Sequence, residues 1–136
     1  MTLASPVTIA IAILTLVTVA YGGTFMLRVV NGRQPANELQ RTYFRAGHAH
    51  AGMFVTLGIV LQILMSADGV PEWGPAAASF VLWAAVLMPA GFFLSVIGRD
   101  PQQPNGLKLL IPLGALSLAG GLVAAGIALL VASGRA

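Results

Sequence analysis

Residues 41–66 read RTYFRAGHAHAGMFVTLGIVLQILMS, and this stretch decides what kind of fold the chain adopts. It begins with basic and polar residues, contains both histidines of the chain, His48 and His50, and continues as an apolar run. A helix crosses a hydrocarbon core about 30 Å thick with about 20 apolar residues. We therefore predict a membrane-spanning helix over residues 38–66, whose first two turns project into the interface because the helix exceeds the core in length.

The rest of the chain repeats this apolar pattern. The 136 residues are 57% hydrophobic and 8% charged, whereas soluble domains carry about 25% charged residues, so too little polar surface remains to face water. The sequence predicts an all-α, four-helix transmembrane bundle that forms a single integral membrane domain, residues 1–136. The predicted helices cover residues 7–30, 38–66, 75–97 and 107–132. The chain has no cysteine, which excludes disulfides, thiolate metal sites and cysteine nucleophiles.

Local signals set the helix ends and contacts. Ser5 and Pro6 are typical of a helix start, and the first helix is expected to be retained because no basic n-region or cleavage site accompanies it. Asn37 and Gln40 predict a capping box on the second helix, and Pro89 predicts a kink in the third. Three pairs of small residues in the fourth helix predict close helix packing: Ala115/Ala119, Gly120/Ala124 and Gly121/Ala125.

The basic residues predict the orientation. Six of the seven flank the first and third connectors: Arg28, Arg33, Arg41, Arg45, Arg99 and Lys108. The second connector has none, and Arg135 lies at the C-terminus. This asymmetry predicts that the first and third connectors are cytoplasmic and that both termini lie outside. We further expect the membrane to be a bacterial inner membrane. It also argues against nucleic-acid binding, which needs basic residues clustered on a solvated face.

The histidine spacing restricts what the two imidazoles can do together. Residues i and i+2 of an α-helix lie about 200° apart, so His48 and His50 point to nearly opposite sides. They cannot share one metal ion on a regular helix, since zinc pairs use i, i+4 spacing. The spacing suits one helix that serves two sites, one on each flank. It equally suits one functional histidine beside one that reaches the headgroups.

The neighbours of the histidines favour a bulky, flat partner. Small residues remove side chains next to both imidazoles: Ala46, Gly47, Ala49, Ala51 and Gly52. A haem held by an axial histidine could approach the backbone there, with His48, His50 or both as iron ligands. Arginines at the same depth suit its propionates: Arg28, Arg41 and Arg45. Met26, or the same histidine of a second copy, is the expected second axial ligand. The alternative is structural: the small residues allow tight packing, and the histidines bond to lipid phosphates, to Tyr43 or to a carbonyl of a neighbouring helix.

The segment Gly47–Gly52 resembles the His-x-His-x-Gly motif in the haem-bearing helix of C-type haem–copper oxidase main subunits. It is also similar to short four-helix bacterial membrane proteins with a His-Ala-His segment, loosely labelled oxidase-subunit-like. In the oxidases the two histidines ligate different haems on opposite sides of one helix, which implies the same roles for His48 and His50. The chain has no further histidine, so it lacks a copper site and opposing haem ligands.

Three functions follow as expectations. The first is a haem-binding subunit or accessory of a respiratory complex, in electron transfer or haem handling. The second is a structural or assembly subunit without cofactor, as a homo-oligomer or in a larger complex. The third is an oligomeric channel or transporter component, lined by one face of the second helix: His48, Ala51, Gly52, Val55, Thr56, Ile59, Gln62 and Ser66. No catalytic constellation is recognisable, so the chain is not expected to be an enzyme on its own, and the lipid bilayer is its expected surrounding.

Overall fold

The computed structural model describes residues 6–134, and these form four α-helices without a strand. The helices are α1 (Pro6–Val30), α2 (Glu38–Leu64), α3 (Gly74–Ser95) and α4 (Leu110–Ser133), with a 3-10 turn at Gly106–Leu109 before α4. All four spans are long and apolar enough to cross a membrane. The predicted all-α, four-helix fold is therefore confirmed, with ends that differ by at most three residues. The predicted cap Ser5 and the terminal Arg135 lie outside the described residues.

The helices pack in chain order: α1 contacts α2, α2 contacts α3, and α3 contacts α4. The two middle helices form the centre, since 33% of the apolar window of α2 and 44% of that of α3 are buried, against 11% in α1 and 17% in α4. This arrangement leaves α1 and α4 with one packed side each. The protein is a multi-pass integral membrane protein whose outer helices present broad apolar surfaces, as lipid contact requires.

The first and third connectors meet at one end of the bundle, which we call the basic end. Asn37 donates hydrogen bonds from Nδ2 to Asp100 Oδ1 at 2.9 Å and to the Pro101 carbonyl at 2.7 Å. Six basic residues lie at or near this end: Arg28, Arg33, Arg41, Arg45, Arg99 and Lys108. The grouping of these residues follows from the fold, whereas the side of the membrane that they face remains a prediction.

The start of α2 is held by Asn37 and Gln40. Asn37 Oδ1 accepts from the Gln40 backbone N–H at 2.9 Å, and Gln40 Oε1 accepts from the Asn37 N–H at 3.1 Å. The predicted capping box is therefore confirmed. The Gln40 amide also donates to the carbonyls of Val96 and Gly98, at 3.0 and 3.1 Å. One buried side chain thus caps α2 and joins it to the end of α3.

Glycines bring α3 and α4 close together. A Cβ at Gly114 would lie 2.9 Å from the backbone nitrogen of Met88, and one at Gly121 would lie 3.1 Å from the Ala77 carbonyl. Only part of the predicted small-residue pattern serves this contact. Gly121 and Ala125 are buried in it, whereas the other two pairs leave Ala115, Ala119 and Gly120 exposed and Ala124 half-buried. The composition of α4 correctly predicted that this helix packs closely. Which of the three pairs contacts α3 depends on the rotation of α4 about its axis.

The polar face proposed for a channel is closed within one chain. Gln62 is 1% exposed, and its amide donates to Ser79 Oγ at 2.9 Å and to the Pro75 carbonyl at 3.2 Å. Its Oε1 has no hydrogen-bond partner among residues 6–134. Gln62 therefore joins α2 to α3 in the way expected of a polar contact between membrane helices, and it does not face a lumen inside this chain.

Candidate functional site

The small residues around the histidines lie where α2 is in contact with both of its neighbours. A Cβ at Gly47 would lie 2.8 Å from Cε2 of Phe93 and 3.1 Å from Cβ of Phe92. Phe93 stacks on Phe44 with ring centroids 5.4 Å apart, and Phe44 meets Phe25 of α1 edge-on at 5.4 Å. Rings of the chain itself therefore fill the surface beside Gly47 and connect α1, α2 and α3 near the basic end.

His50 lies on the side of α2 that contacts α3. Its ring is 5.1 Å from that of Phe92 and 5.3 Å from that of Phe54, centroid to centroid. Nδ1 lies 2.6 Å from the carbonyl oxygen of Ala46. A carbonyl only accepts, so Nδ1 carries the proton and donates it. In the neutral imidazole, Nε2 is then left with its lone pair, which is the form that binds a metal.

His48 lies on the opposite flank, against α1. Its Nδ1 is 3.5 Å from the position of a Cβ at Gly22, and its Nε2 is 3.8 Å from that of a Cβ at Gly23. The glycine pair thus lets the imidazole approach the backbone of α1. Within residues 6–134 this side chain makes no hydrogen bond. The two histidines face different helices, in agreement with the angle that their spacing implies.

The arginines expected near a haem also lie on the flank facing α1. Arg41 and Arg45 line a cavity of about 170 Å³ together with Val29 and Val30 at the end of α1. Arg28 is exposed in the last turn of α1. Met26 is buried on α1, one turn from the glycine pair that contacts His48.

The predicted site residues therefore divide into two groups, one on each flank of α2. His50 is separate from the two arginines and Met26, so these residues cannot complete a haem site around it. In the described part of the chain, no group of three or more His, Cys, Asp or Glu residues could hold a metal ion. The packing that divides the groups involves Phe92 and Phe93, which sequence reasoning missed. The sequence contained one signal for this contact, Gly47. A glycine leaves room for an aromatic ring of the neighbouring helix, and α3 carries Phe92 and Phe93 at the same depth in the membrane.

The two histidines differ in what they could offer a haem. His50 is half-buried, has Nε2 free of protein hydrogen bonds in the described residues, and is held in one tautomer. These features would leave Nε2 able to bind a haem iron. The ring of His48 lies against the glycine pair of α1, so the wide macrocycle of a haem has no room between them while α1 remains packed. Comparisons with protein families, with curated proteins and with solved structures found no match to this chain.

Proposed function

We propose that this membrane protein is a haem-binding subunit or accessory of a larger respiratory complex, with His50 as an axial iron ligand. Haem, when bound, supplies one-electron chemistry, which suits electron transfer or haem handling. The observation that carries the proposal is the hydrogen bond from His50 Nδ1 to the Ala46 carbonyl at 2.6 Å. Histidine ligands generally donate their second nitrogen in this way, which fixes the tautomer and the ring orientation.

With His50 as one ligand, a second ligand to the iron would come from a second chain. Met26 lies on the other flank of α2, and the core contact of α2 with α3 buries Met88. Haem proteins that use two axial ligands can take them from two helices, and a second copy would present a second His50 by two-fold symmetry. The proposal therefore includes one haem shared by two chains.

The visible spectrum tests this proposal. We expect the purified protein, supplied with haem, to show a Soret band with one haem for every two chains. His50→Ala should abolish the band because it removes the iron ligand. His48→Ala is the matched control, since that ring faces α1, and it should retain the band. An unchanged band in His50→Ala, or no band in the wild-type protein after haem addition, would contradict the proposal.

A cofactor-free assembly subunit is the second candidate. It is supported by the outward face of α4, where Cβ atoms added at Gly120 and Gly126 would meet nothing within 4 Å. Such a surface allows another helix to approach closely. Absence of a Soret band together with co-purification of a membrane partner would favour this function over haem binding.

The proposed orientation places the basic end in the cytoplasm and both termini outside, in a bacterial inner membrane. It is supported by the six basic residues at that end. The chain has no cysteine, so single thiols can be introduced by Gln34→Cys, Gln103→Cys and Glu72→Cys. We expect an impermeant maleimide to label only the Glu72→Cys protein in intact cells and all three after permeabilisation. Labelling of the other two in intact cells would reverse the orientation.

A further inference from the structure

The groove between α1 and α2 at the basic end contains two arginines that have no carboxylate partner among residues 6–134. Arg41 and Arg45 line its cavity, and neither forms an ion pair with a carboxylate within the described range 6–134. The closest acid in sequence is Glu38, which is exposed in the first turn of α2 and makes no ion pair either. Positions 41 and 45 are one turn apart, about 5–6 Å between Cβ atoms. Two guanidinium groups so placed can bind a single anion together.

The groove is amphipathic. The other two residues that line the cavity are Val29 and Val30, so a guanidinium pair faces an apolar wall. His48 is the next polar side chain on this face, at i+3 from Arg45, and it makes no hydrogen bond within the described residues. A free phosphate would use only the charged part of this surface. A phospholipid would use all of it, since it joins a phosphate to ester carbonyls and apolar chains.

The position along the helix also favours a lipid. The cavity lies at the last turn of α1 and the first turns of α2, where the apolar spans end. Phosphates of the adjacent leaflet lie at this level. Farther from the basic end, along the membrane-spanning part of α1, large apolar side chains are exposed to the surroundings, among them Leu27 and Tyr21. A lipid whose phosphate occupies the cavity can therefore lay its chains along α1.

We propose that the groove of Arg41, Arg45 and His48 binds an anionic phospholipid. The two arginines hold its phosphodiester, and His48 donates a hydrogen bond to an ester carbonyl one turn deeper. A zwitterionic lipid binds less well, because its ammonium group would lie beside two arginines without a paired carboxylate. The site does not depend on haem binding, since His50 lies on the other flank of α2.

Native mass spectrometry of the detergent-solubilised protein, titrated with phosphatidylglycerol, tests this site. An arginine that contacts the phosphate of an anionic lipid contributes about fivefold to its affinity. We expect Arg41→Gln with Arg45→Gln to lower the affinity about 25-fold. The matched control is Arg33→Gln with Arg99→Gln, which removes the same charge from exposed positions at the same end and should change the affinity less than about twofold. All four side chains are exposed, so both double variants should fold.

The histidines provide a second, opposite comparison. His48→Ala should lower the affinity for phosphatidylglycerol several-fold and leave any Soret band intact, whereas His50→Ala should do the reverse. An equal loss in the Arg33/Arg99 control would show attraction by net charge and overturn the site. Equal binding of phosphatidylcholine would overturn its preference for anionic lipid. Displacement by millimolar inorganic phosphate would identify a free-anion site and overturn the lipid as its occupant.

Discussion

Replacing Gly114 with alanine is expected to destabilise the protein by about 2–3 kcal/mol, the upper part of the range for overpacked cores. The added Cβ would lie 2.9 Å from the backbone nitrogen of Met88 and 3.2 Å from Cβ of Leu87, and closer still to Cγ of Met88. A flexible side chain can turn away, but a backbone atom cannot. The change therefore forces α3 and α4 apart along the contact that buries the inner face of α4.

Gly120→Ala and Gly126→Ala are the matched controls on the same helix. A Cβ at either position meets nothing within 4 Å, so only the helix preference of alanine acts, worth about 0.5–1 kcal/mol in favour of the folded state. Thermal unfolding in detergent, followed by circular dichroism, measures all three variants. Equal melting temperatures for Gly114→Ala and the controls would contradict the close contact between α3 and α4.

Gln40→Glu is expected to cost about 2–4 kcal/mol, from the loss of two donors and the burial of a charge. Glutamate still accepts from the Asn37 N–H, so the capping box survives. It cannot donate to the carbonyls of Val96 and Gly98, which Gln40 contacts at 3.0 and 3.1 Å. A carboxylate would then face two carbonyl oxygens in a buried position, where repulsion is poorly screened.

The measurement for Gln40→Glu is the same thermal unfolding, together with hydrogen exchange of the third connector. That connector should exchange faster, because it loses the two bonds from Gln40 and keeps only those from Asn37 to Asp100 and Pro101. Gln103→Glu, an exposed residue of the same connector, is the control and should change stability by less than about 0.5 kcal/mol. A small effect at Gln40 with unchanged exchange would mean that its two bonds to Val96 and Gly98, just after α3, contribute nothing to stability.

The two histidines lie on opposite flanks of α2 and differ in their hydrogen bonds. His50 is oriented by its own helix, through the carbonyl of Ala46, and keeps one nitrogen for a ligand. His48 is pressed against the glycine pair of α1 without a protein hydrogen bond in the described residues. Polar groups left without partners at membrane depth are costly. The proposed haem and lipid would each satisfy one of these imidazoles, and the paired alanine variants separate the two proposals.

The sequence determined the features that depend on local pattern. Apolar length gave the four spans, because a helix must be about 20 residues long to cross the bilayer. The Asn37–Gln40 spacing gave the capping box, because the capping side chains and the backbone groups that they satisfy lie within one turn. Helix geometry gave the opposite directions of His48 and His50, because 100° per residue holds for any regular helix.

Only the tertiary structure decided what each face of α2 meets. The small residues suited a cofactor, but Phe93 covers Gly47, and Gly22 and Gly23 receive His48. Likewise, three small-residue pairs in α4 looked equivalent, yet only Gly121/Ala125 packs against α3. These outcomes depend on the rotation and depth of one helix relative to another. The rotation and depth of a helix are set by contacts between side chains that are far apart in sequence. The periodicity within one helix carries no information about those contacts.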